Sequence, residues 1–143
     1  MTFSLLTTAA LVTLATLGGS SADPYRWSYR PVFVFAPSHA HPDLQKQKEI
    51  NDAAKAAMVE RDIVVVTVVG DSVVADLGPP PGAEAGELRA RFGMGDDAFA
   101  FILVGKDGGE KLRSDSPVPA ERLAEVIDAM PMRQRERRER KQP

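Results

Sequence analysis

The stretch that decides the fold spans residues 63–69 and reads Ile63-Val64-Val65-Val66-Thr67-Val68-Val69. Every side chain in it is β-branched, which favours an extended strand over a helix. Because the run has no polar face, it predicts a strand that is covered on both sides, as in a parallel sheet. We therefore expect this run to be the central strand of an α/β domain.

Two further apolar runs predict strands on either side of it in the sequence. Val32–Phe35 is bounded by prolines, and Phe99–Val104 is the third apolar run. Residues 106–109, Lys-Asp-Gly-Gly, predict a hairpin turn, because Asp and Gly accept the positive φ that tight turns require. The more polar residues 110–114 are then expected to return as an edge strand.

Three segments between or after the predicted strands have the periodicity of helices. Residues 42–61 repeat apolar side chains every 3.6 residues, and residues 84–92 predict a short helix that Gly93 ends. A last helix begins at Pro119 and ends or kinks at Pro131. The expected buried positions of the long and last helices are Leu44, Ile50, Ala54, Ala57, Met58, Leu123, Val126, Ile127 and Met130. Residues 70–82, which include three consecutive prolines, are expected to be loop.

The predicted order is β-α-β-α-β-β-α, which indicates a central mixed sheet of about four strands flanked by helices. This is the order of the thioredoxin fold. We expect that domain to span residues 23–131.

The first 22 residues have the layout of a secretory signal peptide. They carry no charge, and an apolar stretch from Leu5 to Leu17 is followed by small residues. That pattern predicts cleavage after Ala22 and a secreted or periplasmic protein.

The last twelve residues, 132–143, are expected to form a basic tail. Between Arg133 and Lys141 there are six basic residues and two Glu, whereas the whole chain has a formal net charge of -2. This excess predicts either a contact with an anionic surface or a frayed, solvated helix end. The net acidic chain gives no reason to expect a nucleic-acid partner.

The chain contains no cysteine. Disulfide exchange and thiol peroxidase chemistry both require a thiolate, so the composition excludes both classes of enzyme. Stability in an oxidising compartment must then come from packing, without disulfides.

Four stretches resemble the family called domain of unknown function 4174. They are residues 30–38 (RPVFVFAPS), 60–65 (ERDIVV), 104–114 (VGKDGGEKLRS) and 128–133 (DAMPMR). The resemblance implies a thioredoxin-like or peroxiredoxin-like fold and a secreted setting, since the family also occurs as modules of animal extracellular-matrix proteins. It implies no established activity.

In thioredoxin-like proteins the redox residues lie where the first strand meets the first long helix. The resemblance places Ser38-His39-Ala40-His41 there, and neither end of this tetrapeptide is cysteine. Asp96-Asp97-Ala98 occupies the stretch that would carry the cis-proline of a thioredoxin active site. Both departures point away from a redox function.

The same loop carries the first set of candidate ligand-binding residues: Ser38, His39, His41 and Asp43. A helix start favours anions, and imidazole and carboxylate groups are metal ligands. The alternative is that Ser38 or His41 simply caps the helix. Because no third or fourth ligand is identifiable, the sequence predicts no metal site and no cofactor.

Two further groups of residues have both a functional and a structural interpretation. Four charged residues surround the hairpin turn: Lys106, Asp107, Lys111 and Arg113. They could bind an anionic ligand or a partner, or they could protect an edge strand from pairing with other chains. An aromatic and basic cluster precedes the first strand: Arg26, Trp27, Tyr29 and Arg30. It could dock carbohydrate, a partner or a membrane interface, or its aromatic residues could close one end of the core. The expected function is a redox-inactive binding or interaction module with an envelope or extracellular protein partner. The second hypothesis is an enzyme or metal-binding protein that uses residues 38–43.

Overall fold

A computed structural model describes residues 23–141. The predicted signal peptide, its cleavage site and the last two residues lie outside the described residues. The sheet contains strands β1 (Arg30–Ala36), β2 (Ile63–Val69), β3 (Ser72–Leu77), β4 (Ala100–Val104) and β5 (Glu110–Ser114), in the order β3-β2-β1-β4-β5. β1 and β2 are parallel, and the other neighbours are antiparallel.

Five helices accompany the sheet: α1 (Pro42–Ala53), α2 (Lys55–Glu60), α3 (Ala85–Phe92), α4 (Ala120–Asp128) and α5 (Pro131–Lys141). The predicted class, an α/β domain with a mixed sheet flanked by helices, is confirmed. Within residues 23–141, none of the helices combines the length and apolarity that crossing a membrane requires.

The strand count and the central strand differ from the prediction. β1 lies in the middle of the sheet and β2 lies beside it, while β3 occupies part of the segment expected to be loop. β3 forms because the two-residue turn Gly70-Asp71 reverses the chain, with Gly70 at a φ of 55°, and Val69 then pairs with Ser72. A Gly-Asp pair between β-branched runs is a hairpin signal, so this strand was detectable in the sequence.

The two faces of the sheet bury separate apolar cores. Successive side chains of a strand point to opposite faces, so Val32 and Val34 pack on one side and Phe33 and Phe35 on the other. The first core also receives α1, α2 and α4, and the second receives α3 and Tyr25. The inner strands of the sheet therefore need apolar side chains on both of their faces, as the unbroken apolar run at residues 63–69 predicted.

The long predicted helix is divided at Ala54, whose N–H is shared between the carbonyls of Ile50 and Asn51. Leu44 and Met58 are buried as expected, but Ala57 is exposed. The buried residue that periodicity missed is Gln47. Its side chain accepts a 2.7 Å hydrogen bond from the Val118 N–H and donates a 3.1 Å bond to the Val118 carbonyl, so burial leaves its amide satisfied.

Two local predictions are confirmed by backbone geometry. Gly93 ends α3 in the left-handed conformation, at a φ of 64°. The β4–β5 turn closes with a 3.0 Å hydrogen bond from the Gly108 N–H to the Gly105 carbonyl, and Gly108 has a φ of 84°. β5 is an edge strand, as predicted.

Pro131 separates α4 from α5, because it occupies the first position of the second helix. Leu123 and Ile127 of α4 are buried, and Val126 and Met130 pack partly buried against the same core. The basic segment is thus helical as far as Lys141.

Candidate functional site

The loop from Ser38 to Asp43 connects the carboxyl end of β1 to α1. His41 Nδ1 accepts a 3.3 Å hydrogen bond from the Asp43 N–H, and the imidazole stacks on Phe99 with 6.1 Å between ring centroids. Ser38 and His39 are exposed. The structure therefore gives His41 the capping role that was one of the two interpretations of this loop.

Metal binding by this loop has no geometric support in the part of the chain that the structure describes. Across residues 23–141, no three or more His, Asp or Glu side chains are grouped so that they could hold a metal ion. Ser38, His39, His41 and Asp43 are close in sequence, but they do not form such a group.

A charge cluster built around three buried basic side chains lies at the opposite end of β1. Its members are Arg30, Glu60, Arg61, Asp62, Lys106, Asp128, Arg133 and Glu136. The Arg30 and Arg133 side chains are each only 1% exposed. Because ions of this kind are costly to bury alone, each must be matched by carboxylates or carbonyls.

Within the charge cluster, Glu136 is the shared partner of Arg30 and Lys106. Its carboxylate accepts hydrogen bonds of 3.1 and 3.2 Å from the Arg30 guanidinium and one of 2.6 Å from Lys106 Nζ. Lys106 Nζ also donates a 2.9 Å bond to Asp62. Burial raises the pKa of the Glu136 carboxyl, but the hydrogen bonds and charges of Lys106 and Arg30 outweigh it and leave the pKa below its ordinary value.

Arg133 is the shared partner of two other carboxylates of the charge cluster. It donates hydrogen bonds of 3.2 Å to Asp128 and 3.0 Å to Glu60. Asp128 also accepts two bonds from Arg61, of 3.2 and 2.9 Å. The hydrogen bond from Arg61 is the main reason that the Asp128 pKa is lowered, with burial opposing it and Arg133 adding to the effect.

The two hairpin residues of the sequence prediction lie in different environments. Lys106 was expected beside an exposed turn, but its side chain is only 9% exposed, because its ammonium reaches the charge cluster. Arg113 remains at the edge, where it donates a 3.0 Å bond to Glu110 and a 2.9 Å bond to the Phe92 carbonyl at the end of α3. Pairing between Arg113 and Glu110 is consistent with a charged edge strand.

The aromatic residues before β1 are a buried tyrosine, a partly buried tyrosine and an exposed tryptophan. Tyr25 is 1% exposed, donates a 2.6 Å hydrogen bond to the Pro79 carbonyl and contacts Tyr29 edge to face. Burial, with a smaller contribution from the Asp23 charge, raises the Tyr25 pKa to about 12. These two tyrosines close one end of the core, as one of the two interpretations expected.

Trp27 does not share that role. It is 60% exposed, and its φ of 69° is a conformation that side-chain-bearing residues rarely adopt. The Trp27 N–H donates a 2.6 Å hydrogen bond to the Lys106 carbonyl, which holds the backbone in place. The Arg26 guanidinium carbon lies 5.3 Å from the centroid of the indole ring. An apolar ring is therefore presented to solvent beside a cation.

Side chains from both the first and the last turns of α5 contact the rest of the domain. Arg133 and Glu136 belong to the charge cluster, and Arg140 donates a 2.9 Å hydrogen bond to the Glu60 carbonyl. The exposed basic side chains of α5 are Arg135, Arg137, Arg138, Arg140 and Lys141. A wholly solvated helix end is therefore the wrong description of this segment.

The topology of the sheet and its helices defines the class of protein. A mixed sheet with a parallel β1–β2 pair, an antiparallel β4–β5 hairpin and helices on both faces is consistent with a thioredoxin-like α/β domain, here without cysteine. The chain belongs to the family described as Domain of unknown function (DUF4174), whose model matches residues 21–136. The matched range includes both Arg133 and Glu136. The comparisons with curated proteins and with solved structures found no match.

Proposed function

We propose that this chain is an exported, redox-inactive, thioredoxin-like binding module that docks an envelope or extracellular protein through Trp27 and Arg26. The observation that carries the proposal is the exposure of Trp27 in a left-handed backbone conformation. Such a conformation costs an L-residue about 1–2 kcal/mol. Strain of this kind is concentrated at functional sites, and Trp and Arg dominate protein–protein hot spots.

The loop at residues 38–43 supports the redox-inactive part of the proposal. Ser38 occupies the position that the family resemblance assigns to a redox residue, and its hydroxyl cannot replace a thiolate in disulfide exchange. His41, the nearby imidazole, is occupied by the helix cap and the Phe99 stack.

Export is supported by the sequence of residues 1–22 alone. We expect the protein recovered from the extracellular or periplasmic fraction to have an intact mass that begins at Asp23. Recovery of a soluble cytoplasmic pool that retains Met1 would contradict export.

Replacing Trp27 by Gly is expected to remove partner binding without lowering the melting temperature. Glycine adopts a φ of 69° without strain, so the variant loses the exposed ring while the fold is maintained or slightly stabilised. Loss of a Trp hot spot costs about 2 kcal/mol or more, which weakens the Kd at least about 30-fold. The measurement is titration of a partner captured from the native envelope or extracellular fraction.

The matched control is Val59→Ala, which shortens another exposed apolar side chain, 56% exposed on α2. This variant should bind like the wild type. The chain contains only one Trp, so its fluorescence reports directly on Trp27 and should shift to shorter wavelength as the partner covers the ring. Equal affinity of the Trp27→Gly variant, or an unchanged emission on saturation, would contradict this docking surface.

A further inference from the structure

A cavity of about 360 Å³ lies between the β4–β5 turn and the junction of α4 with α5. This volume falls within the range of small-molecule sites. Neither Arg26 nor Trp27 lines the cavity.

One wall of the cavity is cationic. Arg30, Lys106 and Lys111 line it, together with Asp107. The carboxylates that neutralise Arg30 and Lys106 come from Glu136 and Asp62, which are not part of the lining. Among the charged residues that line the cavity, the three basic ones therefore outnumber Asp107, the acidic one.

Lys111 is the accessible hydrogen-bond donor among the basic residues of that wall. Among residues 23–141, Arg30 Nε is the buried side-chain nitrogen or oxygen that has no hydrogen-bond partner. Lys111 is the cation that a ligand meets first, since its side chain is 34% exposed and pairs at 2.8 Å with Asp107, which is 46% exposed. Pairs that are this accessible contribute little stability, so Lys111 can exchange Asp107 for a ligand at small cost.

The opposite wall is apolar. It is formed by Val126, Ala129, Met130, Pro131 and Met132 at the end of α4 and the start of α5. Methionine side chains adapt to irregular apolar shapes, so two of them allow the wall to fit ligands of different outline. An apolar wall that faces a cationic one selects against ligands that are wholly polar and against ligands that are cationic.

We propose that this cavity binds a small amphipathic carboxylate, with its acid group at Lys111 and its apolar body against Met130 and Met132. Burying the apolar body provides the affinity, and the cationic wall orients the acid. Arg30 and Lys106, which also line the cavity, lie too deep to meet the acid group directly, and each is 9% exposed or less.

The test is calorimetric titration of the purified protein with octanoate, octylamine and acetate. Octanoate is expected to saturate one site with a Kd of about 0.1–1 mM, as befits a ligand of this size. Octylamine lacks the acid and acetate lacks the apolar body, so neither should bind measurably. Absence of octanoate binding, or equal binding of octylamine, would overturn the proposal.

Two variants, each with a matched control, locate the site. Lys111→Gln should weaken octanoate binding about tenfold, and Ala129→Phe should abolish it by filling the cavity. Lys46→Gln and Ala56→Phe make the same changes at exposed positions of α1 and α2, and both should bind like the wild type. The exposed side chain of Lys111 is not needed for folding. Unchanged octanoate binding in Lys111→Gln would therefore show adventitious binding only and reject this site, as would equal losses of binding in the two control variants.

Discussion

Truncation after Pro131 is expected to destabilise the domain by about 3–5 kcal/mol, a large part of the roughly 5–15 kcal/mol by which an ordinary domain is stable. The deleted residues include Arg133 and Glu136. Without Glu136, Arg30 keeps only the Arg61 carbonyl and Lys106 keeps only Asp62. Breaking a buried ion pair by removing one partner leaves an uncompensated charge in a poorly solvated place, which is why the expected loss is large. Urea-induced unfolding at neutral pH measures it.

A second truncation, after Arg138, separates this effect from a general effect of shortening the chain. It keeps Arg133 and Glu136 and removes Arg140, whose side chain is 50% exposed. Exposed ion pairs contribute about 1 kcal/mol or less, so this variant should remain close to the full chain in stability. If both truncated chains were as stable as the full chain, α5 would have to be a solvated tail after all.

Replacing Glu136 by Gln is expected to destabilise the protein by about 3 kcal/mol at neutral pH, because two buried cations lose their shared counterion. The folded state lowers the Glu136 pKa despite burial, through the hydrogen bonds and charges of Lys106 and Arg30. The Glu136 carboxylate therefore makes its full contribution to the free energy of unfolding above about pH 4.3, the pKa of Glu in the unfolded chain. That contribution is lost as the pH falls through the lower pKa of Glu136 in the folded state. The stability difference between wild type and variant should accordingly shrink below about pH 4.

The measurement is the free energy of unfolding of both proteins from about pH 7 to about pH 3. Asp128 also has a lowered pKa, but it is present in both proteins and does not change their difference. Glu125→Gln is the matched control, because its carboxylate is 73% exposed and pairs only at 3.5 Å with Arg122. Parallel stability curves for wild type and Glu136→Gln would contradict the role given to Glu136.

Most of the fold was predictable because short-range patterns specify it. The β-branched run at residues 63–69, the Gly93 helix end and the Asp107-Gly108 turn each depend on neighbours a few residues away. β3 was missed although Gly70-Asp71 signals a hairpin, because the prolines that follow suggested loop for the whole segment. That the middle strand is β1, and not β2, is a property of long-range pairing that periodicity does not contain.

The charge cluster could not have been predicted in the same way. Arg30 and Glu136 are 106 residues apart, and in an Arg-rich segment Arg133 and Glu136 resemble any solvated helix face. Lys106 shows the same difficulty. Its place in a turn motif suggests an exposed side chain, and only the tertiary structure shows that its ammonium is buried in the charge cluster. The cavity depends on the same contacts, since the charge cluster fixes how α5 lies against the β4–β5 turn.

Lys106 also joins the two ends of the described chain. Its carbonyl accepts the hydrogen bond from Trp27, in the segment that enters the sheet, and its ammonium binds Glu136, in the helix that leaves it. Both terminal segments therefore lie at the same end of the sheet, and residues 38–43 lie at the other. A domain of this form can be inserted into a loop of a larger protein with both connections on one side. Tandem copies joined in this way would all present residues 38–43 on the side away from their linkers.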